Sequence, residues 1–312
     1  MRILITGARG FAGRHLVAEL LAHGHTPLPQ DVTPARSPEP VPGWTGDLRD
    51  AADVRRAVHR LQPEAAVHLA GLSFVPQSWA QPVDCFSVNV LGTLNLLEAF
   101  RLEAPQARLL VVSTAEVYGR PPGRARLTED APLQPLTPYA VSKAAAEQMA
   151  LLYAGQYGLP TLVARPRNHI GPGQARYFVA ATFAEQLARI ALGRAEPVIR
   201  VGNLESERDF ADVRDVVRAY RLLLERGRPG TAYNIASAGP VSIRVLLEIL
   251  CREAGVQPRI EQDPERLRPA DHPLVLATDR IRNDVGWQPG IPLEQSLHDL
   301  YQDIFEMLRA AS

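Results

Sequence analysis

Tyr139 and Lys143 stand four residues apart, a spacing that puts both side chains on one face of a helix, one turn from each other. Thr137 can cap that helix and Pro138 suits its first position. A free phenol, with a pKa near about 10, is a poor proton carrier at neutral pH. A neighbouring ammonium favours the phenolate and is expected to lower that pKa. The ammonium also suits ribose hydroxyls, which Arg, planar and bulkier, meets differently. Lys143 is singled out by composition as well. Of the 34 basic residues it is the only Lys, and every other one is Arg. A chain that uses Arg everywhere else keeps one ammonium, next to the tyrosine it would tune.

A second constellation lies at the N-terminus. Gly7, Gly10 and Gly13 are spaced by three within Thr6-Gly7-Ala8-Arg9-Gly10-Phe11-Ala12-Gly13, after the apolar run Arg2 to Thr6 and before a helical pattern from Phe11. Glycines at this junction permit a tight turn and close approach of a diphosphate to backbone donors at a helix N-terminus. The reading is a dinucleotide site, with Phe11 and Ala12 in its wall. Asp31 follows the expected second strand, where a carboxylate accepts both adenosine ribose hydroxyls and repels a 2'-phosphate. That favours NAD, but Arg36 is close enough in sequence to serve NADP instead. Asp47 and Leu48 are placed to flank the adenine.

These groups need a scaffold, and the first half of the chain supplies the pattern of one. Apolar runs at Arg2 to Thr6, Ala65 to Ala70, Arg108 to Thr114 and Thr161 to Arg165 alternate with helical patterns at Phe11 to His23, Asp50 to Leu61, Val83 to Leu102 and Pro138 to Tyr157. This alternation predicts an α/β fold with a doubly wound parallel sheet. The weakest strand is Thr26 to Gln30, because Pro27 and Pro29 remove two ladder donors. The expected division is a dinucleotide-binding Rossmann domain over 1–165, with 212–235 returning to it. A smaller C-terminal α/β region, mainly substrate-binding, takes 166–211 and 236–312, with helices near Phe178 to Leu192, Ser242 to Ala254 and Leu293 to Leu308 and a strand at Pro197 to Val201, while the helix Asp212 to Arg226 falls in the returning segment.

The totals suit a folded enzyme and exclude some alternatives. Acidic residues also number 34, so the formal charge is zero and no basic excess drives nonspecific binding to nucleic acid or membrane surfaces. Apolar runs such as Leu109 to Val112 are too short to span a bilayer. Cys85 and Cys251 are the two cysteines, far apart and without metal-ligand spacing. Neither a disulfide framework nor a metal site is expected, and a cytoplasmic location is the default.

The Gly-rich turn, Asn89-Val90-Leu91-Gly92-Thr93, Ser113-Thr114-Ala115-Glu116-Val117-Tyr118-Gly119 and Tyr139-x-x-x-Lys143 together resemble the extended short-chain dehydrogenase/reductases, which include nucleotide-sugar epimerases, dehydratases and reductases. In the second half, Arg165-Pro166-Arg167-Asn168-His169-Ile170-Gly171-Pro172-Gly173-Gln174 and Arg208-Asp209-Phe210 resemble the GDP-mannose branch, nearest its 4-keto reductases. The resemblance implies an NAD(H)- or NADP(H)-dependent enzyme that reduces the 4-keto group of GDP-4-keto-6-deoxy-D-mannose. Tyr139 would supply the proton, Lys143 tune it, and Thr114 polarise the carbonyl. Glu116 would be the carbon-5 base in a dehydratase or a substrate-hydroxyl acceptor in a reductase, so dehydratase and epimerase stay open, as does a non-catalytic nicotinamide sensor. Leu69, Ala70, Gly71, Ser113 and Arg165 join the expected cofactor set. Ser73, Asn168, Phe178, Val179, Arg200, Arg208 and Arg268 form the expected substrate set. A homodimer through Val83 to Leu102 and Pro138 to Tyr157 is also implied.

Overall fold

The computed structural model describes residues 1–33, 43–120, 126–237, 239–264 and 274–311. The Pro-rich segment with Arg36, and Leu267 to Pro269 with Arg268, lie outside these ranges.

Seven parallel strands form the central sheet, in the order Thr231–Ile235, Thr161–Pro166, Arg108–Val112, Ala65–His68, Arg2–Thr6, Thr26–Asp31 and Trp44–Thr45. The chain therefore winds outward from Arg2–Thr6 in both directions. The crevice beyond the strand ends, where winding reverses, is where such sheets bind ligands. Within Arg2–Thr6 the two-residue alternation sends Ile3 and Ile5 into one apolar layer and Leu4 into the other. Ile3 and Ile5 meet the helices Phe11–Ala22 and Val213–Arg226 through Leu16, Val217 and Tyr220. Leu4 meets Ala51–Leu61, Gly92–Glu103 and Pro138–Tyr157 through Val58, Phe100 and Tyr153.

Thr26–Asp31 forms despite its two prolines, and the ladder shows why. The Thr26 amide donates to the Met1 carbonyl. Alternation then turns Leu28 and Gln30 toward the same neighbour and Pro27 and Pro29 toward the other side. On that side Trp44–Thr45 pairs only with Gln30 and Asp31, so the missing donors fall where no described strand needs them.

The expected long helix at Val83 to Leu102 is three consecutive helical pieces, Pro82–Phe86, a π-turn at Ser87–Leu91, and Gly92–Glu103. Pro82–Glu103 is long and apolar enough to cross a membrane by length and composition alone. Here it packs on Ala51–Leu61 and Pro138–Tyr157.

The remaining chain builds a smaller layer around the helices Val179–Ala191, Ile243–Ala254 and Leu293–Ala310, which share one apolar cluster. Asn168–Ile170, Glu207–Asp212 and Pro240–Ser242 form a three-stranded sheet beside it. Within 236–312, Ile281, Val285 and Trp287 pack into the core of the large sheet. Cys85 and Cys251 are both free thiols.

Candidate active site

A cleft of roughly 1510 Å³ runs along the strand ends and between the two layers. At one end the chain leaves Arg2–Thr6 through Gly7, whose φ of +69° suits glycine; a Cβ there would lie 2.9 Å from the Ala70 backbone nitrogen. Gly13 lies so close to the turn that a Cβ would collide with the Gly7 carbonyl. Helix Phe11–Ala22 is thus pressed onto the first strand, and its N-terminus opens into the cleft. Gly7, Gly10, Phe11, Ala12 and Gly13 line this end, with Asp31, Asp47, Leu48, Leu69, Ala70 and Gly71. The Asp31 carboxylate accepts from the backbone amides of Val32 at 2.8 Å and Arg9 at 3.3 Å. The Asp47 carboxyl is held below its ordinary range, chiefly by the Arg49 side chain.

Beneath this end lies a closed hydrogen-bond chain. The Ala70 amide donates to Thr6 Oγ1, which pairs with His68 Nδ1 at 2.7 Å, and His68 Nε2 pairs with Thr93 Oγ1 at 2.9 Å. Thr93 donates to the Asn89 carbonyl, so Nε2 carries the proton and His68 is neutral. Burial, reinforced by Lys143, brings its pKa to about 3. Asn89, inside the π-turn, ties Leu72 to the Ser142 hydroxyl. The loop after Ala65–His68 is thereby locked to the helix that carries Tyr139.

That helix, Pro138–Tyr157, begins as expected: Thr137 caps it by accepting from the Ala140 amide, with Pro138 at the first position. Tyr139 and Lys143 line the cleft and are each 8% exposed. Thr114 follows the end of Arg108–Val112; its hydroxyl accepts from the Glu116 amide at 3.2 Å and lines the cleft with Tyr139. Glu116 faces the Tyr139 phenol. Contrary to the expected ammonium effect, the Tyr139 pKa is pushed up, first by burial and then by the Glu116 carboxylate. The Lys143 Nζ donates to the Val112 carbonyl at 2.8 Å. Burial brings Lys143 down to about 8. At rest the site therefore holds a neutral phenol.

Ser113 also lines the cleft. Its hydroxyl is buried and has no hydrogen-bond partner among the described residues. A buried orphan hydroxyl, an open helix N-terminus and a strand-end carboxylate fit a dinucleotide.

Of the expected substrate set, Ser73, Asn168, Phe178, Val179 and Arg208 reach the cleft. Arg200 does not. It is exposed on Val198–Val201, a strand paired with Arg259–Gln262, outside the cleft lining. Arg165, expected at the cofactor, also lies outside the lining. Its guanidinium is buried in a paired fork with Glu147 (2.8 and 3.2 Å) and donates to the Tyr118 hydroxyl and the Glu129 carbonyl. The alternation of Thr161–Pro166 explains the Arg165 result, since neighbouring Pro166 lines the cleft and Arg165 does not. Phe74, Tyr177, His169 and Tyr220 line the cleft without having been expected. Phe74 and Tyr177 touch across two distant segments, with ring centroids 4.7 Å apart, a meeting that only the tertiary fold creates.

Residues 4–300 match the family described as GDP-mannose 4,6 dehydratase. The chain belongs to this family. It is 39% identical to the GDP-6-deoxy-D-mannose reductase of Pseudomonas aeruginosa, over 97% of this chain and 96% of that one. The solved structure of RMD from Pseudomonas aeruginosa, complexed with NADPH, superposes with a TM-score of 0.87 at 36% identity, covering 98% of this chain and 99% of that one. The Thermus thermophilus UDP-glucose 4-epimerase, in complex with NAD, gives a TM-score of 0.86 at 33% identity, with coverage of 97% and 99%.

Proposed function

We propose that this family member is an NAD(P)H-dependent reductase that converts the 4-keto group of GDP-4-keto-6-deoxy-D-mannose to the hydroxyl of GDP-D-rhamnose. The observation that carries it is the cleft itself, which gathers Thr114, Glu116, Tyr139 and Lys143 in a chain 39% identical to a GDP-6-deoxy-D-mannose reductase. A ketone reduction starts from a proton donor at the carbonyl oxygen. Oxidation of a 4-hydroxyl, the opening step of a dehydratase or epimerase, starts from the phenolate. Likeness to the Pseudomonas aeruginosa reductase over nearly the whole of both chains supports the same reading.

The Gly7 to Gly13 turn, Asp31 and Ser113 would hold the dinucleotide, which when bound supplies the hydride. Thr114 donates to the substrate carbonyl oxygen and Tyr139 delivers its proton there as the hydroxyl forms. Lys143 steadies the phenolate that remains and binds ribose hydroxyls. Glu116 accepts from a sugar hydroxyl. Arg208, Asn168 and Ser73 contact the nucleotide sugar, beneath the start of Val179–Ala191. The purified chain, given the 4-keto sugar nucleotide and NADH or NADPH, should consume reduced-nicotinamide absorbance. No consumption would overturn the reductase reading. Loss of water from GDP-mannose without added reductant would establish the dehydratase instead.

Asp31 supports a preference between the two cofactors. Asp31→Asn removes a charge that opposes a 2'-phosphate, so the NADPH-to-NADH ratio of kcat/KM should rise on the order of tenfold, the size of one charge–charge interaction of roughly 1.4 kcal/mol. An unchanged ratio would place Asp31 away from the ribose.

We also propose a cytoplasmic homodimer. Val83, which is 79% exposed, lies with Leu91, Leu102, Val141, Leu152 and Tyr157 as exposed apolar side chains on Pro82–Glu103 and Pro138–Tyr157. Two such helices from each copy would close as a four-helix interface. Light scattering should give a dimer for the native chain and a monomer for the double variant Val83→Arg, Leu152→Arg. A native monomer would contradict it.

A further inference from the structure

Tyr220 lies on Val213–Arg226, a helix far along the chain from the Tyr139 motif, and it is the residue of that helix that lines the cleft. Its side chain is 0% exposed and packs in the same apolar layer as Ile5, Leu16 and Val217. Its hydroxyl is buried and has no hydrogen-bond partner among the described residues. A polar group in such a wall is costly unless something satisfies it, and Phe would fill the same space without the cost. Tyr220 shares its apolar cluster with Val112, the strand-end residue whose carbonyl accepts from Lys143 Nζ, which puts it toward the Tyr139–Lys143 end of the cleft; Tyr139 is also the ionisable group that bears on it. Among the described residues, Ser113 brings a second unpartnered buried hydroxyl to the cleft.

We propose that Tyr220 is a cofactor-positioning residue, its hydroxyl hydrogen-bonding the carboxamide of the nicotinamide ring and so fixing which face of the ring meets the substrate carbonyl. The inference rests on the dinucleotide reading above. A phenol can donate to the carboxamide oxygen or accept from its nitrogen, and Ser113 can supply the complementary bond. Lys143 serves the ribose, and the substrate oxygen takes Thr114 and Tyr139. The carboxamide is then the polar group at this end that still needs partners.

The test is Tyr220→Phe in the full chain, with dissociation constants for NADH, NADPH and ADP-ribose, which lacks the nicotinamide, and the thermal midpoint of the free protein. The variant should bind the better of the two reduced cofactors about 3- to 10-fold more weakly, with ADP-ribose affinity unchanged and the midpoint unchanged or higher. Equal affinity for the reduced cofactor in variant and native chain would overturn the proposal, as would equal weakening of ADP-ribose. A lower midpoint with all affinities unchanged would assign the hydroxyl to the fold alone. If the native chain binds neither NADH nor NADPH, the dinucleotide reading itself falls, which separates that failure from this one.

Discussion

Tyr139→Phe lowers kcat by about 10²- to 10⁴-fold, the usual contribution of a positioned acid, while leaving the dissociation constant of NADH or NADPH within about threefold. The substitution deletes one oxygen from a residue only 8% exposed and keeps its packing, so a large kcat loss without an affinity loss isolates proton delivery. The pH profile carries the second half of this prediction. Lys143 is brought down to about 8 by burial. Its ammonium is therefore complete below that pH and is lost as pH rises through it. Reduction that depends on the ammonium should fall on the alkaline side, with an inflection near about 8. Tyr139, pushed upward, stays protonated across this window and adds no inflection of its own. Lys143→Arg keeps its charge throughout. It should run at least about tenfold slower, because the planar fork cannot replace the ammonium, and should show no inflection near that pH. A native profile flat between about pH 6 and 9 would show that the Lys143 charge does not act in turnover.

What the sequence could disclose about this site follows from how local each feature is. The Gly7 to Gly13 turn and the Thr137-to-Lys143 helix start are short stretches whose geometry is set by their own residues, and both stand in the structure as their spacing indicated. The lone lysine was conspicuous only because the rest of the chain uses Arg. That same uniformity made the arginines unreadable, so Arg165 and Arg200 were assigned by resemblance and the structure puts both outside the cleft lining. The upward direction of the Tyr139 pKa follows from burial and the Glu116 carboxylate. Sequence spacing shows that an ammonium lies one turn away, but not that a strand carbonyl, Val112, engages it, nor how deeply the phenol is buried. Tyr220 and the Phe74–Tyr177 contact were illegible because they depend on helices and loops from distant parts of the chain meeting over one crevice. The proline-bearing second strand was readable only as a doubt. Its resolution needed the knowledge that one side of the strand meets a two-residue partner.

Arg165→Met should destabilise the protein by about 3–5 kcal/mol, the cost of breaking one side of a buried ion pair. Glu147 is 0% exposed and takes both bonds of the Arg165 fork. Without the guanidinium it is left as a buried carboxylate in a helix interior, one turn beyond Lys143. The same guanidinium holds the Tyr118 hydroxyl, which in turn donates to Asn234 Oδ1 at 2.7 Å. Tyr118 ends the short 3-10 turn Ala115–Tyr118 that begins after Thr114 and contains Glu116. Arg165 thus joins the backs of the two elements whose fronts form the catalytic site, and it is a positioning residue by that geometry. Two measurements separate this from a cofactor contact. Chemical denaturation should show the large loss in stability. Below the new unfolding transition, kcat should fall while cofactor affinity stays near the native value. The double variant Arg165→Met, Glu147→Leu removes both charges together and should regain most of the stability, because a paired burial replaced by apolar groups of similar volume is close to neutral. It should not regain full kcat, since the tie to Tyr118 is still missing. If Arg165→Met instead weakens cofactor binding at unchanged stability, the guanidinium belongs to the cofactor site after all.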